Sequence, residues 1–73
     1  MAGRDSQSAQ RILARNLRLL RLERGLSQED LAAAAMTRQA LVSAIENGTG
    51  NPTLASLEKL AQTLEVSLAE FFR

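Results

Sequence analysis

Apolar residues recur along this chain at the three- and four-residue spacing of helices. Leu13, Leu17 and Leu20 fall in an otherwise largely polar stretch and predict a first helix from Ser8 or Ala9 to Arg24. Gly25 ends it, as a glycine just past the last helical residue commonly does. Leu31, Ala32 and Ala35 share one face of a short second helix. Val42 and Ile45, with Leu41 at their edge, share a face of a third. Leu54, Leu57, Leu60, Ala61 and Leu64 mark the buried face of a fourth helix, and Leu68, Phe71 and Phe72 a short fifth. The pattern is that of a compact, all-α, five-helix domain over residues 9–73, preceded by a flexible arm over residues 1–8.

Polar residues place the helix ends. Ser27 can cap the second helix, with Asp30 three residues on as an acidic variant of the capping box. Thr37 can cap the third after a corner at Met36, and Gly48 closes it. Thr49-Gly50-Asn51-Pro52 is a loop by composition. Thr53 can cap the fourth helix, and Ser67 the fifth, with Glu70 in capping-box register. The break between the second and third helices is too brief for anything but a sharp corner. Helices this short bury little alone, so they must lean on each other and on the rest of the chain. The outward face of the third carries Arg38, Gln39, Ser43 and Asn47, all polar. That is the layout of a helix-turn-helix unit, whose second helix enters the DNA major groove.

Composition narrows the function classes. A chain of 73 residues supports one domain, with too little core for an enclosed enzyme cavity. It has no cysteine and no histidine, which excludes disulfides, thiolate nucleophiles and the usual zinc ligands. With no paired carboxylates on one face and no phosphate-cradling glycine loop, no enzymatic activity, metal or cofactor is expected. No apolar stretch approaches the roughly 20 residues needed to span a bilayer, and the N-terminus is too polar for a signal peptide. Two Phe and no Trp or Tyr make a poor stacking platform for single strands. Net charge is only +1, but it is unevenly spread. Arg4, Arg11, Arg15, Arg18, Arg21 and Arg24 face only Asp5 and Glu23 in the first third, while acids outnumber bases two to one beyond it. One end of the molecule therefore suits phosphates.

These residues resemble the helix-turn-helix domain of lambda-type phage repressors and Cro proteins, a family that includes restriction–modification controller proteins. The likeness runs from about Arg11 to Phe72. It rests on Arg21 four residues before Gly25-Leu26-Ser27-Gln28-Glu29, then Leu31-Ala32, Ile45-Glu46-Asn47-Gly48 and Asn51-Pro52-Thr53. Leu57, Leu60-Ala61 and Leu64-Glu65-Val66-Ser67 continue it. The resemblance implies a largely buried ion pair between Arg21 and Glu46, tying the first helix to the third. It implies phosphate contacts from Gln28, Thr37, Asn47 and Thr49, near the start of the second helix and around the third. Base contacts are expected from Arg38, Gln39, Ala40 and Ser43: arginine grips guanine, glutamine pairs with adenine, and an alanine can lie over a thymine methyl. Two positions depart from the family. Met36 and Thr37 stand where it usually has a glycine and a small apolar residue, and the loop from Thr49 to Thr53 lacks the basic residue many relatives carry.

Members of this family mostly dimerise and read two half-sites about one helical turn apart. The dimer candidates here are Leu68, Phe71 and Phe72 with the outer face of the fourth helix; Ile12, Leu19 and Leu22 form a second apolar stripe. The expectation is a sequence-specific regulator, cytoplasmic in a bacterial or phage setting, binding a roughly palindromic double-stranded operator as a homodimer through a recognition helix at about residues 38–47. RNA polymerase and a toxin are further candidate partners, and no membrane is expected. The alternative is a protein-interaction module or antitoxin subunit with the same fold and weak or no DNA binding of its own.

Overall fold

The computed structural model describes residues 2–73, with side chains described from Ala9 onward. Helices α1 (Ala2–Glu23), α2 (Gln28–Ala34), α3 (Gln39–Glu46) and α4 (Leu54–Leu64) are followed by a 3-10 helix at Leu68–Phe72. The expected fifth helix is therefore a five-residue 3-10 helix and not an α-helix. There is no strand among the described residues, and the all-α reading holds. Helix α1 begins at Ala2 rather than at Ser8 or Ala9. The expected arm, and with it the side chain of Arg4, lies outside the residues whose side chains are described.

One core holds the elements together. Leu13 and Leu17 of α1, Leu31, Ala32 and Ala35 around α2, Val42 and Ile45 of α3, Leu57, Leu60, Ala61 and Leu64 of α4, and Phe71 are all buried. Leu20, Leu26, Leu41, Val66 and Leu68 pack around them, so Leu41 serves the core edge. Two expectations fail here. Leu54, the first residue of α4, is 69 % exposed, whereas Leu57, Leu60, Ala61 and Leu64 of the same helix are buried. Phe71 is fully buried, so it closes the core of a single chain and is unavailable as a dimer contact; Phe72, at 44 % exposed, retains surface.

Helix ends follow local chemistry. Gly25 and Gly48 adopt left-handed backbone after α1 and α3. The Thr53 hydroxyl accepts from the Ser56 amide at 3.0 Å, capping α4. Glu65 takes left-handed backbone (φ 59°) to close α4, a role no residue preference would assign it. Ser67 makes no side-chain cap. Glu70, expected to reach back to it, instead pairs with Arg73 at 2.9 Å. The C-terminal segment is pinned to α1 by Asn16 Nδ2, which donates to the Phe71 carbonyl at 2.9 Å.

Candidate nucleic-acid interface

The corner unit is built from two differently made helix starts. At α2, Ser27 Oγ accepts from the Asp30 amide (2.9 Å), while Asp30 Oδ2 accepts from the Ser27 amide (3.3 Å). This reciprocal capping box leaves both Glu29 and Asp30 at the positive end of the helix. At α3, the chain turns through Met36 in left-handed backbone (φ 57°) with its side chain 83 % exposed. The Thr37 amide donates back to the Ala32 carbonyl at 2.8 Å, which ties the corner to α2. Thr37 is consumed by the corner and does not cap α3. The N-cap is Arg38, in extended backbone and without a side-chain cap. The cap fails because the left-handed step at Met36 delays the helix by a residue.

Helix α3 buries Val42 and Ile45 and turns Arg38, Gln39, Ala40 and Asn47 outward as exposed residues, with Ser43 half-buried beside them. Arg38, Gln39 and Ala40 are thus exposed in succession where the helix begins, and Ser43 follows about one turn on. The orientation of α3 is fixed at its other end. Arg21 grips Glu46 in a fork, Nε to Oε2 at 2.7 Å and Nη2 to Oε1 at 2.9 Å, and Arg21 Nη1 donates to the Leu26 carbonyl at 2.7 Å. The two side chains are only 10 % and 4 % exposed. Burial alone would raise the Glu46 carboxyl. The hydrogen bonds from Arg21 and Gln28, with the positive charges of Arg21 and Arg18, outweigh it and hold the group below the ordinary glutamate range. The hydrogen bond to Glu46 likewise holds Arg21 further into its charged range, against the opposing effect of burial.

Of the residues assigned to phosphate, Gln28 is half-buried and its Nε2 donates to Glu46 Oε1 at 3.1 Å. It therefore joins the start of α2 to the ion pair, with one N–H and its carbonyl oxygen still free to face outward. Asn47 is exposed just past α3, and Thr49 is exposed with its hydroxyl donating to the Ala44 carbonyl at 3.3 Å. Thr37 is half-buried at the corner.

Two supports of this face carry little sequence signal. Gly50 lies so close against α3 that a Cβ would fall 2.9 Å from the Ile45 nitrogen and 3.0 Å from the Ala44 carbonyl carbon. Its amide donates to the Ala44 carbonyl at 2.9 Å. Gln10 of α1 donates to the Gly50 carbonyl at 2.9 Å, across forty residues of sequence. A glycine inside a loop can be read as mere turn chemistry, and a glutamine on a polar face as solvated; only the packing distinguishes them.

The arrangement presents the polar side of one short amphipathic helix, with its apolar side packed into the core. Among the described residues no helix is long and apolar enough to cross a membrane. No group of three or more His, Cys, Asp or Glu there could hold a metal ion.

Known proteins share this plan. The chain is 40 % identical over 63 residues to a Neisseria meningitidis protein described as a hypothetical transcription factor, covering 86 % of this chain and 59 % of that one. This chain thus spans about three fifths of that relative's length. It is 38 % identical over 56 residues to the antitoxin HipB of Escherichia coli K12, covering 77 % and 64 % of the two chains. The restriction-modification controller protein C.Esp1396I, solved as a tetramer with its natural 35 base-pair operator, superposes with a TM-score of 0.78 at 36 % identity. That match covers 88 % of this chain and 84 % of the other. Residues 17–71 match the helix-turn-helix family. The chain belongs to that family, in its lambda repressor and Cro-like branch.

Proposed function

We propose that this protein is a transcriptional regulator that binds a roughly palindromic double-stranded operator as a homodimer, with α3 in the major groove. The observation that carries this reading is that Arg38, Gln39 and Ala40 are exposed at the start of α3, with Ser43 half-buried a turn on, while the other end of the helix is held by the buried Arg21–Glu46 fork. Arg38 suits guanine and Gln39 suits adenine, each good bidentate contact discriminating by about 1–3 kcal/mol. Gln28, Thr37, Asn47 and Thr49 are the proposed phosphate contacts that set the register. One such helix reads one half-site, so useful specificity calls for two copies. Phe72 and Leu54 are the exposed apolar residues we assign to self-association; Leu68 supports them from a half-buried position. DNA binding implies an intracellular location.

The test is selection of sites from a random duplex library by the purified chain at physiological salt. Enrichment of an inverted repeat is the expected result. Absence of any enriched sequence would overturn the reading. In that case the likeness to an antitoxin favours the second reading, a subunit whose main partner is a protein, assayed by co-purification with that partner.

A further inference from the structure

Resting on the same DNA-binding reading, we propose that the protein's interface with DNA extends onto α1, where Arg11 and Arg18 contact the phosphate backbone beside the groove that α3 enters. Three observations lead there. The first is a shortage of positive charge elsewhere. From Gly25 to Glu58, which includes α2, α3 and the loop after it, the sole cation is Arg38. A polyanion held by that stretch alone would find little charge to meet.

The second is placement. Helix α1 lies along the C-terminal end of α3, touching Gly50 through Gln10 and Glu46 through Arg21. At about 100° per residue these two contacts fall on one line of α1. Leu13 and Leu17 lie on the core side of that line. Arg11 and Arg18, seven residues apart, share a second line roughly 60–100° round on the other side, away from the core. They leave α1 beside the two contacts that join it to the C-terminal end of α3. Arg18 is near enough to the C-terminal end of α3 for its positive charge to favour the ionised form of Glu46.

The third is availability. Among the described residues Arg21 pairs with Glu46, Arg24 with Glu23 and Arg73 with Glu70, whereas Arg11 and Arg18 are exposed and enter no ion pair. Arg15 provides the contrast on the same helix. It lies further round, and its guanidinium reaches away from α3 to the Arg73 carbonyl at 3.3 Å.

The experiment compares Arg11→Gln, Arg18→Gln and Arg15→Gln with the unaltered chain by binding to one duplex across a salt series, with a random duplex in parallel. Each substitution removes one positive charge from an exposed site on one helix, so net charge changes alike. Circular dichroism and thermal unfolding check that Arg15→Gln, which also loses its contact to the Arg73 carbonyl, is folded as the other two are. Loss of a phosphate contact lowers the slope of log affinity against log salt by about 0.9 for each copy of the chain bound. We expect that loss for Arg11→Gln and Arg18→Gln, equally on selected and random duplexes, and an unchanged slope for Arg15→Gln. Equal slopes for all three variants, whether lowered or unaltered, would overturn the α1 contact while leaving α3 binding intact. Failure of the unaltered chain to bind any duplex would instead defeat the DNA-binding reading itself.

Discussion

The two ends of α3 are held in opposite ways. At its C-terminal end the helix is fastened from several sides: Arg21 and Gln28 hold Glu46, while Gly50 packs against the backbone and is itself held by Gln10. At its N-terminal end it emerges from a left-handed step at Met36 with an uncapped start at Arg38 and exposed neighbours. The contrast separates two jobs. The fold fixes the angle of the helix at the end that belongs to the core, and leaves side chains free at the end proposed to read bases.

The strongest way to break this contrast is at the ion pair. Glu46→Ala would strand the buried Arg21 guanidinium at a cost of about 3–5 kcal/mol, read from denaturant midpoints. A double change to Arg21→Met with Glu46→Leu should recover most of that stability, because apolar groups of similar size often replace a buried pair without loss. Its DNA affinity should stay impaired if the pair sets the angle of α3. The same pair predicts an acid response. Glu46 is held below its unfolded value, so its contribution is present above that value and is lost as pH falls through the lower, folded one. Acid unfolding followed by circular dichroism should therefore steepen below the ordinary glutamate range, and Glu46→Gln should flatten that dependence.

A smaller break comes from Gly50→Ala. The new methyl would meet backbone rather than a movable side chain, and a cost of about 1–3 kcal/mol in thermal or denaturant unfolding is expected. Smaller still, and of opposite sign, is Met36→Gly. A non-glycine residue in left-handed backbone costs about 1–2 kcal/mol, and the exposed Met36 side chain offers little packing in return. The glycine variant should be more stable by about 1 kcal/mol, net of the added freedom of its unfolded chain.

What could be read from the sequence was what is decided locally or by a strong pattern. The capping box at Ser27 and Asp30, the Thr53 cap, the glycines after α1 and α3, and the core stripe of α4 from Leu57 to Leu64 all depend on neighbours within a turn or two. The Arg21–Glu46 fork was legible through the family resemblance, since nothing in spacing alone pairs residues on separate helices. The misreadings have tertiary causes. Leu54 has the right period for burial but, as the first residue of α4, stays exposed. Thr37 and Ser67 have capping side chains, yet the corner claims one and a 3-10 turn follows the other. Phe71 and Phe72 are chemically identical, and only the packing of the C-terminal segment on α1 divides them into a core residue and a surface residue.

The most direct test of the account repeats the library selection with Gln39→Ala beside the unaltered chain. If the N-terminal end of α3 reads bases, the variant should select the same inverted repeat with preference relaxed at one position in each half-site. An identical selected sequence, with every position as sharp as before, would contradict the assignment of that end of the helix to base reading.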